Sequence, residues 1–277
     1  MTPRSRKAIT PKMAQALEAL YLRYNRPEYI DPDPLAPTKD YAHSHDQEVA
    51  GLIAASLAFG NVKTILKSID AVLRYFPNPA ADLRTATTCT LKKRLRGFRH
   101  RYTDETDMLH LLQGIQQVLN QYDSLGHAFQ LQINDDDASL NNALQRWRAL
   151  LMKPCKRPGN YLLPDPAKTS ACKRLHMYLR WMVRNDAVDP GPWSTHVSAA
   201  KLLYPMDTHM HRIATCLGIT KRKCADRCCA EEVTAQFARV APHDPVRYDF
   251  CLTRLGIRKD TDLNAFLIQC GKRVSKN

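Results

Sequence analysis

Lys173 and Asp207 are the two residues of this 277-residue chain whose types and settings suggest covalent chemistry. Lys173 stands at the head of a run in which Leu175, Tyr178, Leu179, Met182 and Val183 recur at three- and four-residue spacing. That spacing predicts a helix with one apolar stripe and puts the lysine in its first turn. The unpaired N–H groups and the macrodipole of a helix start favour anions and disfavour a cation. An amine held there becomes a nucleophile once a neighbouring base takes its proton. Asp207 supplies such a carboxylate. Pro205 ends the segment before it, Asp207 caps a helix beginning at Thr208, Ile213, Cys216 and Leu217 give that helix a buried side, and Gly218 stops it. Read singly, a first-turn lysine is a solvated surface charge and an Asp before a helix is an N-cap. Only the two together suggest a site.

The remaining elements must hold that pair. A basic tail is expected over residues 1–9. Thr10-Pro11 then reads as N-cap and first helical position, with Met13, Ala16, Leu17, Leu20, Tyr21 and Tyr24 on one face behind it. After a proline-broken segment to Tyr41, residues from Asp46 to Phe59 are apolar nearly all round, which predicts a central, buried helix. Gly60-Asn61 turns into an amphipathic helix carrying Val62, Ile65, Leu66, Ile69, Val72 and Leu73, stopped at Pro77 and Pro79. Leu83 to Arg101 is short-helical and basic, a pattern that usually marks a solvated face. Thr103 is expected to cap a long helix through Tyr122, and Ser139 to start another through Leu151. Lys153 to Asp165, with three prolines and a glycine, is the best interior boundary. It divides a lobe at about 46–152 from a segment at about 164–256 within one domain over 10–277. Two further helices are expected at about Ala225 to Val240 and Pro245 to Leu255, the second stopped by Gly256. No period-two alternation runs for long, so the fold class is all-α.

Composition is that of an ordinary globular chain, 44% hydrophobic, large enough to bury a sizeable core. Forty-one Lys and Arg against 27 Asp and Glu leave a net charge of +14. The pI of about 9.5 suits a polyanionic partner, nucleic acid first, and no membrane association is expected. The nine cysteines are odd in number and scattered, which predicts reduced thiols in a cytoplasmic chain. Cys216, Cys224, Cys228 and Cys229 cluster, but their C-x7-C-x3-C-C spacing fits no four-ligand metal site, so neither metal nor cofactor is expected.

Met206-Asp207-Thr208-His209-Met210-His211-Arg212-Ile213-Ala214, followed by Leu217-Gly218, resembles the V-D-T-H-x-x-R-V segment of helix-hairpin-helix DNA glycosylases such as endonuclease III, in which the Asp is catalytic. A lysine opening a helix upstream matches the bifunctional members. Its separation from Asp207 is closer to that in the archaeal 8-oxoguanine glycosylases. The usual hairpin, L-P-G-V-G-x-K, is replaced by Leu163-Pro164-Asp165-Pro166-Ala167-Lys168-Thr169, a divergent hairpin element. Nearly all of residues 10 to 270 also resemble an uncharacterised bacterial family placed in that superfamily.

The resemblance implies a two-lobed helical fold and a DNA glycosylase with associated lyase activity, acting as a monomer on damaged DNA. Its substrate would be an oxidised purine, 8-oxoguanine above all. Lys173 and Asp207 would be catalytic. Phe59 and Asn61 stand at the turn that in endonuclease III carries a glutamine entering the DNA. Asp249 matches the Asp of a C-terminal helix that contacts the flipped base in the archaeal enzymes; its alternative is an exposed helix Asp. Helix N-termini at Ser170 and Thr208, with His209, Arg212 and Lys221, would hold the DNA backbone. Two alternatives stay open: a monofunctional glycosylase for alkylated or mispaired bases using Asp207 alone, or a helical protein that binds DNA or RNA without catalysis.

Overall fold

In the computed structural model, which describes residues 9–155, 160–258 and 261–272, the chain enters its first helix at Thr10 and Pro11. Residues 1–8 of the expected basic tail lie outside the described residues. The Thr10 hydroxyl accepts the Met13 N–H at 3.2 Å and caps α1 (Pro11–Tyr24), whose Met13, Ala16, Leu17, Leu20 and Tyr24 are buried. The helix read as central is so. In α2 (Ser44–Leu57) every residue from Glu48 to Leu57 is buried, and α3 (Val62–Leu73), α4 (Pro79–Thr85), α7 (Leu125–Gln130) and α9 (Lys173–Val183) pack around it. Gly51 allows a close approach to α9. A Cβ there would come within 2.9 Å of Met182 Cε and 3.4 Å of Tyr178 on α9.

The rest of the described chain comprises α5 (Thr88–Leu95), α6 (Glu105–Tyr122), α8 (Asn141–Met152), α10 (Thr208–Cys216), α11 (Arg227–Phe237), α12 (Asp249–Ile257) and α13 (Leu263–Gln269). The fold is all-α. One antiparallel pair interrupts it among the described residues, β1 (Arg99–His100) and β2 (Thr103–Asp104), and strands of two residues are too short to leave a period in the sequence. This hairpin moves the start of α6. Thr103 donates its hydroxyl to the His100 carbonyl at 2.8 Å within the turn, and Asp104 is the N-cap, forming a capping box with Asp107. Three other boundaries shift from expectation: α8 begins at Asn141, α11 at Arg227 behind the cap Asp226, and α12 at Asp249, continuing past Gly256 to Ile257. The short helices α7 and α13 have too few turns for periodicity to mark them.

One contiguous buried cluster runs through both expected lobes, from α1 and α2 to α12 and α13. Across it, the Glu48 carboxylate of α2 accepts the N–H groups of Leu125 and Gly126 at 2.8 and 3.1 Å and Trp193 Nε1–H at 2.9 Å. Burial pushes this carboxyl up, and the three donors oppose the shift. No helix among the described residues is long and apolar enough to cross a membrane.

His176, on α9, is 1% exposed, and burial pushes its imidazole down to about 4. The unfolded chain takes up this proton near pH 6.5 while the folded chain resists it until about pH 4. Stability is therefore lost as pH falls through that window, by up to about 3 kcal/mol from this residue. Urea unfolding at the two ends of the window should show His176→Leu losing less stability than wild type by about that amount; parallel losses would contradict it.

Candidate active site

Lys173 is the first residue of α9, behind Cys172, which takes a left-handed φ of 45° and makes no side-chain cap. Ser170 does not mark a helix N-terminus. Its segment pairs in extended form with Asp226, and Arg227 N–H donates to the Thr169 carbonyl at 3.0 Å, so the backbone that a helix start would leave open is engaged in a bridge. The exposed Ser170 hydroxyl accepts the Cys172 N–H at 3.2 Å. The residues standing in the hairpin's place, 163–169, form turns rather than a helix and hairpin, since Pro164 and Pro166 each lack a donor and restrict the residue before them.

Asp207 caps α10 with one oxygen and meets the lysine with the other. Its Oδ1 accepts the Met210 N–H at 2.8 Å, and its Oδ2 lies 3.6 Å from Lys173 Nζ. Each side chain is about a third exposed, 31% for the lysine and 35% for the aspartate, so solvent reaches the pair. The cap fixes the carboxylate at the start of a helix, and the remaining oxygen is directed by that constraint.

The pair stands in the wall of a cavity of about 560 Å³ between α9, α10, α12, the α2–α3 turn and residues 32–34. Two further ion pairs line it: Arg180 with Asp249 at 2.6 Å and Arg254 with Asp33 at 2.5 Å. Asp249 is buried, 2% exposed, in the first turn of α12, which rules out the exposed helix Asp. Its Oδ2 accepts from Arg180 while its Oδ1, also buried, has no hydrogen-bond partner among the described residues. Burial pushes this carboxyl up, against the pull of Arg180. His209 is in the same wall, and its buried Nε2 has no hydrogen-bond partner among the described residues.

The other candidates separate. Phe59 and Thr208 line the cavity, but Asn61 does not: Gly60, at φ 105°, turns the chain, and the exposed Asn61 caps α3 by accepting the Lys63 N–H at 3.0 Å. Arg212 and Lys221 are exposed and stand outside the cavity wall. Cys216, Cys224 and Cys228 are exposed and Cys229 is buried; among the described residues no three His, Cys, Asp or Glu side chains are grouped to hold a metal.

Sequence reading passed over Asp33, Arg174, Arg180 and Arg254. The signal for Arg180 lay in its position, a charge set among the apolar residues of a helix buried on almost every side. Arg174 is the cavity's one cation with no carboxylate partner among the described residues. It donates to the carbonyls of Ser56 and Tyr161 and stacks on Phe59 and Tyr161, 4.7 and 4.9 Å from the ring centres. Burial lowers it to about 10, which leaves it charged at neutral pH.

A family model described as a protein of unknown function, DUF2400, matches residues 33–258. The chain belongs to the DUF2400 family. The DUF2400 match takes in both members of the Lys173–Asp207 pair and all of the cavity wall from Asp33 onward, and leaves α1 and α13 outside it. No curated protein and no solved structure matches the chain.

Arg180→Met should cost about 3–5 kcal/mol of stability, because it leaves the Asp249 charge buried without a partner. Asp249→Asn should cost less, since a neutral amide oxygen still accepts from the guanidinium. Urea unfolding of both variants checks the order, and equal costs would contradict it.

Proposed function

We propose that this protein is a DNA glycosylase with associated lyase activity, excising an oxidised purine, 8-oxoguanine first among candidates, in base excision repair. The observation that carries the reading is the 3.6 Å approach of Lys173 Nζ to Asp207 Oδ2 at the wall of a cavity large enough for a purine. Asp207 takes a proton from the lysine ammonium, and the neutral amine attacks the anomeric carbon. The glycosidic bond breaks, the base leaves with the bonding electron pair and is protonated, and the enzyme is joined to the sugar. Loss of the ring oxygen bond gives a Schiff base, from which β-elimination cleaves the strand. The carboxylate also stabilises positive charge developing on the sugar.

Charge and polarity of the cavity support the same reading. A net +14 favours a polyanion, and the flipped nucleotide must leave the stack to reach the pair. Asp249 Oδ1 and His209 Nε2 are buried polar atoms in need of partners, suited to the edge of a heterocyclic base. Thr208, Arg212 and Lys221 would take phosphates.

A panel of lesion-bearing oligonucleotides incubated with the protein and sodium borohydride tests this directly, since borohydride traps only the Schiff base. Lys173→Gln should abolish trapping and strand cleavage yet keep lesion binding. Asp207→Asn should slow excision on the order of a hundredfold or more. Excision by Lys173→Gln with Asp207→Asn inactive would make the enzyme monofunctional. Tight DNA binding by a wild type that releases no base from any lesion would remove catalysis from the reading.

A further inference from the structure

Two of the exposed large side chains, Tyr102 at 72% and Tyr161 at 52%, stand together rather than scattered, next to residues of the cavity wall. Their ring centres are 5.9 Å apart, and Tyr161 in turn meets Phe59, a cavity wall residue, at 5.0 Å. Both contacts are edge-to-face, and the exposure of the two tyrosines leaves much of each ring in solvent. The charged groups stacked on these rings are guanidiniums: Arg101 over Tyr102 at 5.2 Å, and Arg174 over Phe59 and Tyr161.

The hairpin that carries Tyr102 is built at a conformational cost. With Arg99 paired to Asp104 and His100 to Thr103, Arg101 and Tyr102 are its two turn residues. Such turns favour Gly or Asn, yet here the first is an arginine at φ 55°. The turn is also anchored. His100 is 1% exposed, its Nδ1 2.9 Å from the Ser68 hydroxyl of α3 and its Nε2 3.1 Å from the Phe59 carbonyl. The Arg101 side chain lies over Gly60, where a Cβ would come within 2.8 Å of it. A rigid base thus holds an exposed tyrosine beside the cavity.

We infer that Tyr102 and Tyr161, with Arg101 and Arg174, form a stacking surface for the unpaired bases of a single-stranded stretch of nucleic acid. Aromatic rings offer any base a partner, and the uncompensated Arg174 and neighbouring Arg101 suit the phosphates between stacked bases. The charge of the cluster speaks against an acid-free apolar partner and for a polyanion with flat, apolar faces. The inference shares with the proposed function only the choice of nucleic acid as partner, and it adds that the strand is unpaired at this rim.

Anisotropy titration of the full-length protein with one undamaged oligonucleotide, single-stranded and as a blunt duplex, provides the test. The single strand should bind more tightly. Tyr102→Leu keeps apolar bulk, removes the ring and touches a mostly exposed side chain, so folding is not at stake. It should weaken single-strand binding on the order of tenfold, the loss of one stacked base, with the salt dependence unchanged. Tyr161→Leu should do likewise, and a 2-aminopurine base in the strand should lose its binding-induced quenching in both. Equal affinity for duplex and single strand, or wild-type binding by Tyr102→Leu, would overturn the inference. So would a wild-type dimer that Tyr102→Leu dissolves, which would give the surface to a second copy. Excision is a separate readout: tyrosine-dependent strand binding without base release leaves this surface standing and removes the glycosylase, and excision from duplex indifferent to Tyr102→Leu does the reverse.

Discussion

Two guanidiniums held out of water at the C-terminal end of one helix set the terms for the rest of this structure. Arg180 lies in the last turn of α9 and Arg184 is the C-cap residue just past its end, with side chains 4% and 3% exposed. Neighbouring buried cations repel and cannot shed their charge, so carboxylates must come to them. Asp189, itself fully buried, hydrogen-bonds Arg184 and forms an ion pair with Arg180 at 3.2 Å; Asp249 takes Arg180; Asp186 and Asp244 take Arg184. These acids arrive from the loop after α9, from the turn before α12 and from α12 itself. Tyr21 of α1 adds a hydrogen bond to Asp186 at 3.0 Å, so the network reaches the first helix as well. The deep end of the cavity is the by-product: α12 is brought against α9 by charge, and the residues that do so become its wall.

The cavity is consequently graded. Its floor holds ion pairs that are nearly dry and fixed from several sides, Arg180 with Asp249 and Arg254 with Asp33. Its mouth holds Lys173 and Asp207, a third exposed, at a separation longer than a direct hydrogen bond. Water screens a pair in that setting, and the attraction it loses is easily exchanged for contacts to a ligand. A fixed floor and a labile mouth fit a site that first orients a group and then moves a proton or forms a bond. The N-cap contributes in the same sense, since the Met210 N–H holds one Asp207 oxygen and leaves the other facing Lys173.

Much of the site was legible in local terms. Lys173 in a first turn, Asp207 as an N-cap, Thr10 as a cap and α2 as the central helix all follow from residue type and short-range periodicity, because caps and amphipathic stripes are decided within a few residues of the chain. Short elements escaped for the complementary reason. A two-residue strand pair and the six-residue α7 have no repeat to detect, and the Thr103 cap failed because the β1–β2 turn claimed its hydroxyl first.

By itself, then, the sequence determined the all-α class, the order of the main helices and the helix-start settings of Lys173 and Asp207. Tertiary structure alone decided that these two face each other, that Asp249 is buried rather than exposed, that Asn61 is a cap outside the cavity and that Ser170 lies in a bridge. It also decided that Arg174 has no acidic partner among the described residues and that Tyr102 and Tyr161 meet. The reason is physical: a cap depends on backbone groups three residues away, whereas burial and charge pairing depend on segments brought together from tens of residues apart, and no local pattern encodes which carboxylate will meet which cation.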